Sequence, residues 1–285
     1  MWLIDFILNL TALILWLNWR ARHFPPLVRT GPTTLVGTLK RPETTRLGGW
    51  QLVVGLVALL AGRALFYWFI GAPVDWTPKL DLGLISLAFR SDSLRLDLLY
   101  STMSFVRLLI VFYFWLLVLA AVNRGVIEPD PLQKLVRQHL SRAAYWPWPV
   151  QLVLPLILVS LLWLVVSPFL AQLGLVNSAH SLARLCYQGL LVGLGLVLTL
   201  KYLLPVFLLL HVVTSYVFLG NSPVWEFISG TARNLLKPLQ GLPLRFARLD
   251  LAPIVEMLLI LFALQWLPNF IVGKMLQMRI SPWPQ

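Results

Sequence analysis

The chain has 285 residues, of which 59% are hydrophobic and only 12% charged, with a formal net charge of +12 and a mean hydropathy of +0.80. A soluble domain carries about a quarter charged residues, so the composition excludes an ordinary soluble globule and predicts an all-α polytopic membrane protein. The basic excess gathers in short segments between apolar runs, as in a membrane protein with positive cytoplasmic loops, and no nucleic-acid partner is expected. Cys186 is the single cysteine, which excludes an intramolecular disulfide and a cysteine metal cage.

Six runs reach the length of about 20 apolar residues that a crossing needs: 2–19, 50–70, 98–122, 149–171, 185–219 and 251–272. The first carries Asp5 near its start and is followed by Arg20 and Arg22. No basic region precedes it, so it reads as an uncleaved anchor with its N-terminus outside. The segment 20–49 that follows holds Arg20, Arg22, Arg29, Lys40, Arg41 and Arg46 against Glu43 alone. The second run carries Arg63 and small residues Gly55, Ala58 and Gly62 that suit close helix packing.

Segment 71–97 contains Asp75, Asp81, Asp92 and Asp97. Within it, Leu80, Leu82 and Leu84 alternate before the phase shifts to Leu87 and Phe89. That pattern predicts a short extended stretch with a bulge or break, then a helix capped near Ser91 or Asp92. Arg107 lies in the outer half of the third run. In 129–149, Asp130 as N-cap and Pro131 at the first helical position predict an amphipathic helix on the cytoplasmic interface. Leu132, Leu135, Val136 and Leu140 would form its apolar face, and Lys134, Arg137 and Arg142 would approach anionic headgroups.

The fifth run is too long for one perpendicular crossing. It tilts strongly, kinks at Pro205, or ends along the interface. It carries Lys201 near its middle and His211 deeper, while Gly189 and Gly193 offer a close-packing face. The last run opens with Asp250 as its expected cap and Pro253 in its first turn, and carries Glu256. The three segments 20–49, 123–148 and 220–250 hold fourteen Lys and Arg and the opposite loops six, which predicts both termini outside. The layout is one membrane domain of three helical hairpins, 1–70, 98–171 and 185–272, with outer loop 71–97. Tryptophans such as Trp2, Trp19, Trp50, Trp146 and Trp148 fall near predicted span ends, where indoles anchor.

Asn221, Pro223, Thr231, Leu235, Leu236, Pro238, Leu242, Pro243, Asp250, Pro253 and Ile254 follow the order of a known motif. Segment 214–264 thereby resembles the YggT family, also called YlmG, of bacterial and plastid membrane proteins. Ser222 separates Asn221 from Pro223, and Ala252 replaces the usual serine. The resemblance implies an integral protein of the bacterial inner membrane with no assigned catalytic residues. Its relatives are associated with osmotic tolerance, cell division and assembly of membrane complexes. The function expected is a non-catalytic scaffold or accessory subunit that holds other membrane protein subunits, or its own copies, in the lipid bilayer. A small ion or solute transporter is the alternative.

Asp5, Arg63, Arg107, Lys201, His211 and Glu256 are the polar residues inside predicted spans, where each needs a partner, water or an interface. Depth groups Asp5 with Arg63 or Arg107, and Glu256 with Lys201, His211 or the carbonyl freed near Pro205. Interhelical pairing that fixes register is preferred to a proton or ion path. His23, His139, His180 and His211 lie at different depths, and no phosphate loop, Cys-x-x-Cys or serine nucleophile motif occurs. No enzyme activity, metal or cofactor is therefore expected.

Overall fold

The computed structural model describes residues 2–23, 48–71, 76–89, 93–125, 131–176, 181–217, 220, 222–237, 245–246 and 249–277. The protein is an all-α polytopic membrane protein. Its elements are α1 (Trp2–His23), α2 (Gly49–Gly71), β1 (Lys79–Asp81), β2 (Ser86–Ala88), α3 (Leu94–Val122), α4 (Pro131–Leu140) and α5 (Trp148–Gln172). Then come α6 (Leu182–Leu198), α7 (Leu200–Tyr216), α8 (Pro223–Leu236), β3 (Arg245–Phe246), β4 (Leu249–Asp250) and α9 (Ala252–Gln277). Among the described residues, six helices are long and apolar enough to cross a membrane: α1, α2, α3, α5, the α6–α7 stretch and α9.

The chain divides into two compact units. The first comprises residues 1–80 and 88–109, the second 81–87 and 110–285. In the first, α1 packs along α2, and Ser101 of α3 donates to the backbone carbonyl of Leu60 at 2.9 Å.

In the second unit, α5 packs closely along α6. A Cβ on Gly189 would lie 2.9 Å from the Ser160 carbonyl oxygen, and one on Gly193 would lie 3.0 Å from that of Leu156. Glycine at both positions lets the two backbones touch. Elsewhere in this unit, α7 packs on both α8 and α9. Leu208, Ala232 and Leu236 form a small core there, covered by Ala252, Met257 and Ile260.

Segment 182–216 is interrupted at Thr199 rather than at Pro205. The Thr199 amide donates to the Leu196 carbonyl at 3.1 Å and its own carbonyl accepts from the Tyr202 amide at 3.1 Å, a local tightening to i→i+3 bonding. The Thr199 hydroxyl donates to the Leu196 carbonyl at 2.6 Å and accepts from the Trp115 indole at 3.0 Å. A side chain inserted into the helical ladder breaks it here. Pro205 sits inside α7 without ending it.

Several local expectations are corrected. The alternating segment 78–89 is a turn-linked pair of strands, because Gly83, with φ +96°, supplies the left-handed conformation that reverses the chain. Its strands bury Leu80 and Leu87. The face of α4 that is covered runs through Gln133, Val136 and Leu140, whereas Leu135 is half exposed. Burial of Gln133 is permitted because its amide donates to the Asn123 carbonyl at 2.6 Å. Asp250 belongs to β4, opposite Arg245, and α9 begins at Ala252, so Asp250 stands one residue too early to be the cap. Pro253 does lie in the first turn of α9, as expected. The expected caps Ser91, Asp92 and Asp130 lie outside the described residues.

A buried polar cluster as the candidate functional site

Three helices of the first unit each contribute polar residues one turn apart: Asp5 and Asn9 from α1, Arg63 and Tyr67 from α2, Tyr100 and Ser104 from α3. Spacing of i, i+4 puts each pair on one helix face, and the three faces converge on the Arg63 guanidinium.

Arg63 has about 1% of its side chain exposed and Asp5 18%. One terminal nitrogen of Arg63 donates to Asp5 Oδ1 at 2.6 Å and to Ser104 Oγ at 3.1 Å. The other donates to Asn9 Oδ1 at 2.8 Å, and Nε donates to the Tyr67 hydroxyl at 3.4 Å. Tyr67 in turn donates to Asp5 Oδ1. Tyr100 donates to Asp5 Oδ2 at 3.0 Å, and Asn9 Nδ2 donates to Ser104 Oγ at 3.2 Å. The guanidinium carbon lies 5.5 Å from the Tyr67 ring centroid and 5.3 Å from that of Tyr100, within cation–π range.

The arrangement compensates a buried cation with an adjacent anion and neutral dipoles. Removing a charge pair from water is expensive unless good geometry and further hydrogen bonds accompany it, and here both are present. From outside the helices, Trp76 and Phe89 close on the same tyrosines: Trp76 lies 4.6 Å from Tyr67 and Phe89 5.4 Å from Tyr100, ring centre to ring centre. The aromatic wall thickens the apolar surround of the pair. Arg107, one turn beyond Ser104 on α3, is half-buried.

Depth alone had offered Asp5 two arginines; the geometry pairs it with Arg63. Asn9, Tyr67, Tyr100 and Ser104 were not singled out from the sequence, although their i, i+4 offsets from Asp5, Arg63 and one another were a readable signal.

The second unit holds another polar knot, also unforeseen. Asn123 Nδ2 donates to Thr231 Oγ1 at 2.8 Å and to the Leu119 carbonyl at 3.1 Å. Its Oδ1 accepts from Asn234 at 2.8 Å, while its backbone carbonyl accepts from Gln133. Asn123 thus ties the end of α3 to α4 and α8. Thr231 and Leu236 of the motif are buried in α8 and Leu235 is partly buried. Ser222 caps that helix, its hydroxyl accepting from the Val224 amide at 3.4 Å, with Pro223 at the first turn. That is a local reason for a serine between Asn221 and Pro223. Asn221, Pro238, Leu242 and Pro243 lie outside the described residues.

Of the second expected grouping, the described geometry covers Glu256 Oε2 and Lys201 only. Glu256 is half-buried on α9, and its Oε2 is enclosed with no hydrogen-bond partner among the described residues. Lys201 sits 5.1 Å from the centroid of its neighbour Tyr202. Among the described residues no group of three or more His, Cys, Asp or Glu is placed to hold a metal ion. No family model, no curated protein and no solved structure matches this chain.

Proposed function

We propose that the protein is a non-catalytic, YggT-like scaffold or accessory subunit of a larger complex in the bacterial inner membrane, with both termini outside. The observation that carries this reading is α9. None of its span-length apolar window is buried within the chain, and Leu258, Leu259, Phe262, Trp266 and Phe270 are exposed along it. A span bound to its own chain along one narrow edge offers the rest of its surface to lipid and to the helices of other subunits. The Arg63 cluster supports the same reading, because its cation is engaged by three helices at once and fixes their register instead of standing free along a path.

The test is purification of the native protein in gentle detergent. A defined membrane protein should co-purify in fixed stoichiometry and be lost when Phe262 and Trp266 are both changed to alanine. A stable monomer that conducts ions or a solute in proteoliposomes would replace this reading with the transporter. Orientation is checked by impermeant thiol labelling: single cysteines in 24–47 should be protected in intact cells. Labelling of that segment from outside would invert the topology.

A further inference from the structure

The turn between β1 and β2 does not stay at the helix ends. Gly83 and the Leu82 carbonyl rest directly on the Gly195 backbone, so that a Cβ on either glycine would collide with the other segment. Gly195 lies thirteen residues past Leu182, or about 20 Å along α6 at 1.5 Å per residue. Its neighbour Gly193 packs on Leu156, about 12 Å from the start of α5 by the same rise. Both α5 and α6 belong to stretches apolar enough to span a membrane. The strand tip is therefore lodged between the two ends of a membrane-spanning helix pair.

Two hydrogen bonds fix the register: the Leu82 amide donates to Ile85 and the Phe89 amide to Pro78. Counting between them sets Asp81 opposite Ser86. One face of the strand tip is buried, with Ile85 and Leu87 each about 1% exposed. Asp81 and Ser86 point the other way and are exposed. Among the described residues the sheet has two strands, and no further described strand receives the amide and carbonyl groups of its outer edges.

Acyl chains cannot satisfy a carboxylate, a hydroxyl and open strand edges at that depth. Non-helical backbone inside a membrane is tolerated where protein buries it or where it lines water, and this face is not buried. We propose that Asp81 and Ser86 line a water-filled vestibule entering beside the strand pair, open to small hydrophilic solutes and closed at its inner end where Gly83 meets Gly195. Lys79 and Asp81 are both exposed on the same face of β1, so the vestibule wall carries one charge of each sign. This proposal is independent of the scaffold assignment, since a blind vestibule carries no flux.

The experiment uses the full-length chain in membrane vesicles, with Cys186→Ser as background. Asp81→Cys and Ser86→Cys are reacted with a small impermeant cationic methanethiosulfonate and with a wide polyethylene-glycol maleimide. Val165→Cys, on the most exposed part of α5, supplies the lipid-facing comparison, and Leu87→Cys the buried one. The expected result is at least tenfold faster reaction with the small reagent at both hairpin sites than at Val165→Cys or Leu87→Cys, and little reaction with the wide one. Hairpin sites no faster than Val165→Cys would overturn the proposal, because the face would then be covered by lipid or another protein. Equal rates with small and wide reagents would also overturn it, since the strands would then lie on the surface. A second variant, Gly195→Ala, pushes a methyl against the Leu82 carbonyl, so Leu87→Cys should become reactive in that background. Continued protection of Leu87→Cys in a folded Gly195→Ala protein would count against the seated tip.

Discussion

Asp5 of α1 and Arg63 of α2 lie 2.6 Å apart, O to N, although 58 residues separate them in the chain. The guanidinium is almost wholly enclosed, so its charge depends on this carboxylate. Asp5→Ala should destabilise the protein by about 3–5 kcal/mol, the cost of leaving one member of a buried pair alone. The double change Asp5→Leu with Arg63→Met should recover most of that loss. Thermal melting in detergent compares the three proteins. A double variant as unstable as the single one would show that the neutral partners, not the charges, hold these helices.

Asn123 serves four partners from three elements. Asn123→Leu removes the three side-chain bonds together and leaves Thr231 and Asn234 without their partner, at a site where Thr231 is about 1% exposed; the bond from Gln133 to the backbone carbonyl can remain. Each orphaned buried group costs about 1–3 kcal/mol, so a clear fall in melting temperature is expected, together with faster proteolysis after residue 123. Asn123→Asp keeps the acceptor but loses the donors and should fall between parent and Asn123→Leu.

Gly189 allows α5 and α6 to meet backbone to backbone. Gly189→Leu forces a side chain toward the Ser160 carbonyl and should cost about 1–3 kcal/mol through overpacking. Gly55→Leu, where nothing lies within 4 Å of the added Cβ, is the matched control and should leave melting unchanged. Equal effects at the two sites would remove the argument for a glycine-lined contact.

Glu256 was expected to have a stabilising partner, and its Oε2 has none among the described residues. Glu256→Gln removes a half-buried charge, one of whose oxygens is enclosed without a partner among the described residues, and should leave melting equal to or above that of the parent. Complex assembly should persist. Loss of ion flux in a fully stable Glu256→Gln protein, with flux present in the parent, would instead make Glu256 a transport residue.

The sequence by itself determined the class, the six spans and most of their limits, because the bilayer imposes a length and a composition that any crossing helix must meet. It also determined the first turn of α4, where Pro131 stands at the first helical position and acts over only a few residues. Asp250 missed its helix start by one position because pairing of β4 with β3, a contact beyond local range, held it in a strand. What tertiary structure decided was partnership. Asp5 could have met Arg63 or Arg107, and Glu256 could have met Lys201 or His211, since depth fixes height along the membrane normal but not azimuth around each helix. The facing direction is set by which sides pack: glycines bring α5 onto α6, and paired polar residues turn α1, α2 and α3 toward Arg63. The alternating leucines of 80–87 announced extended chain. Only the seat offered by Gly195, about a hundred residues away in sequence, carried that chain into the depth of the helices.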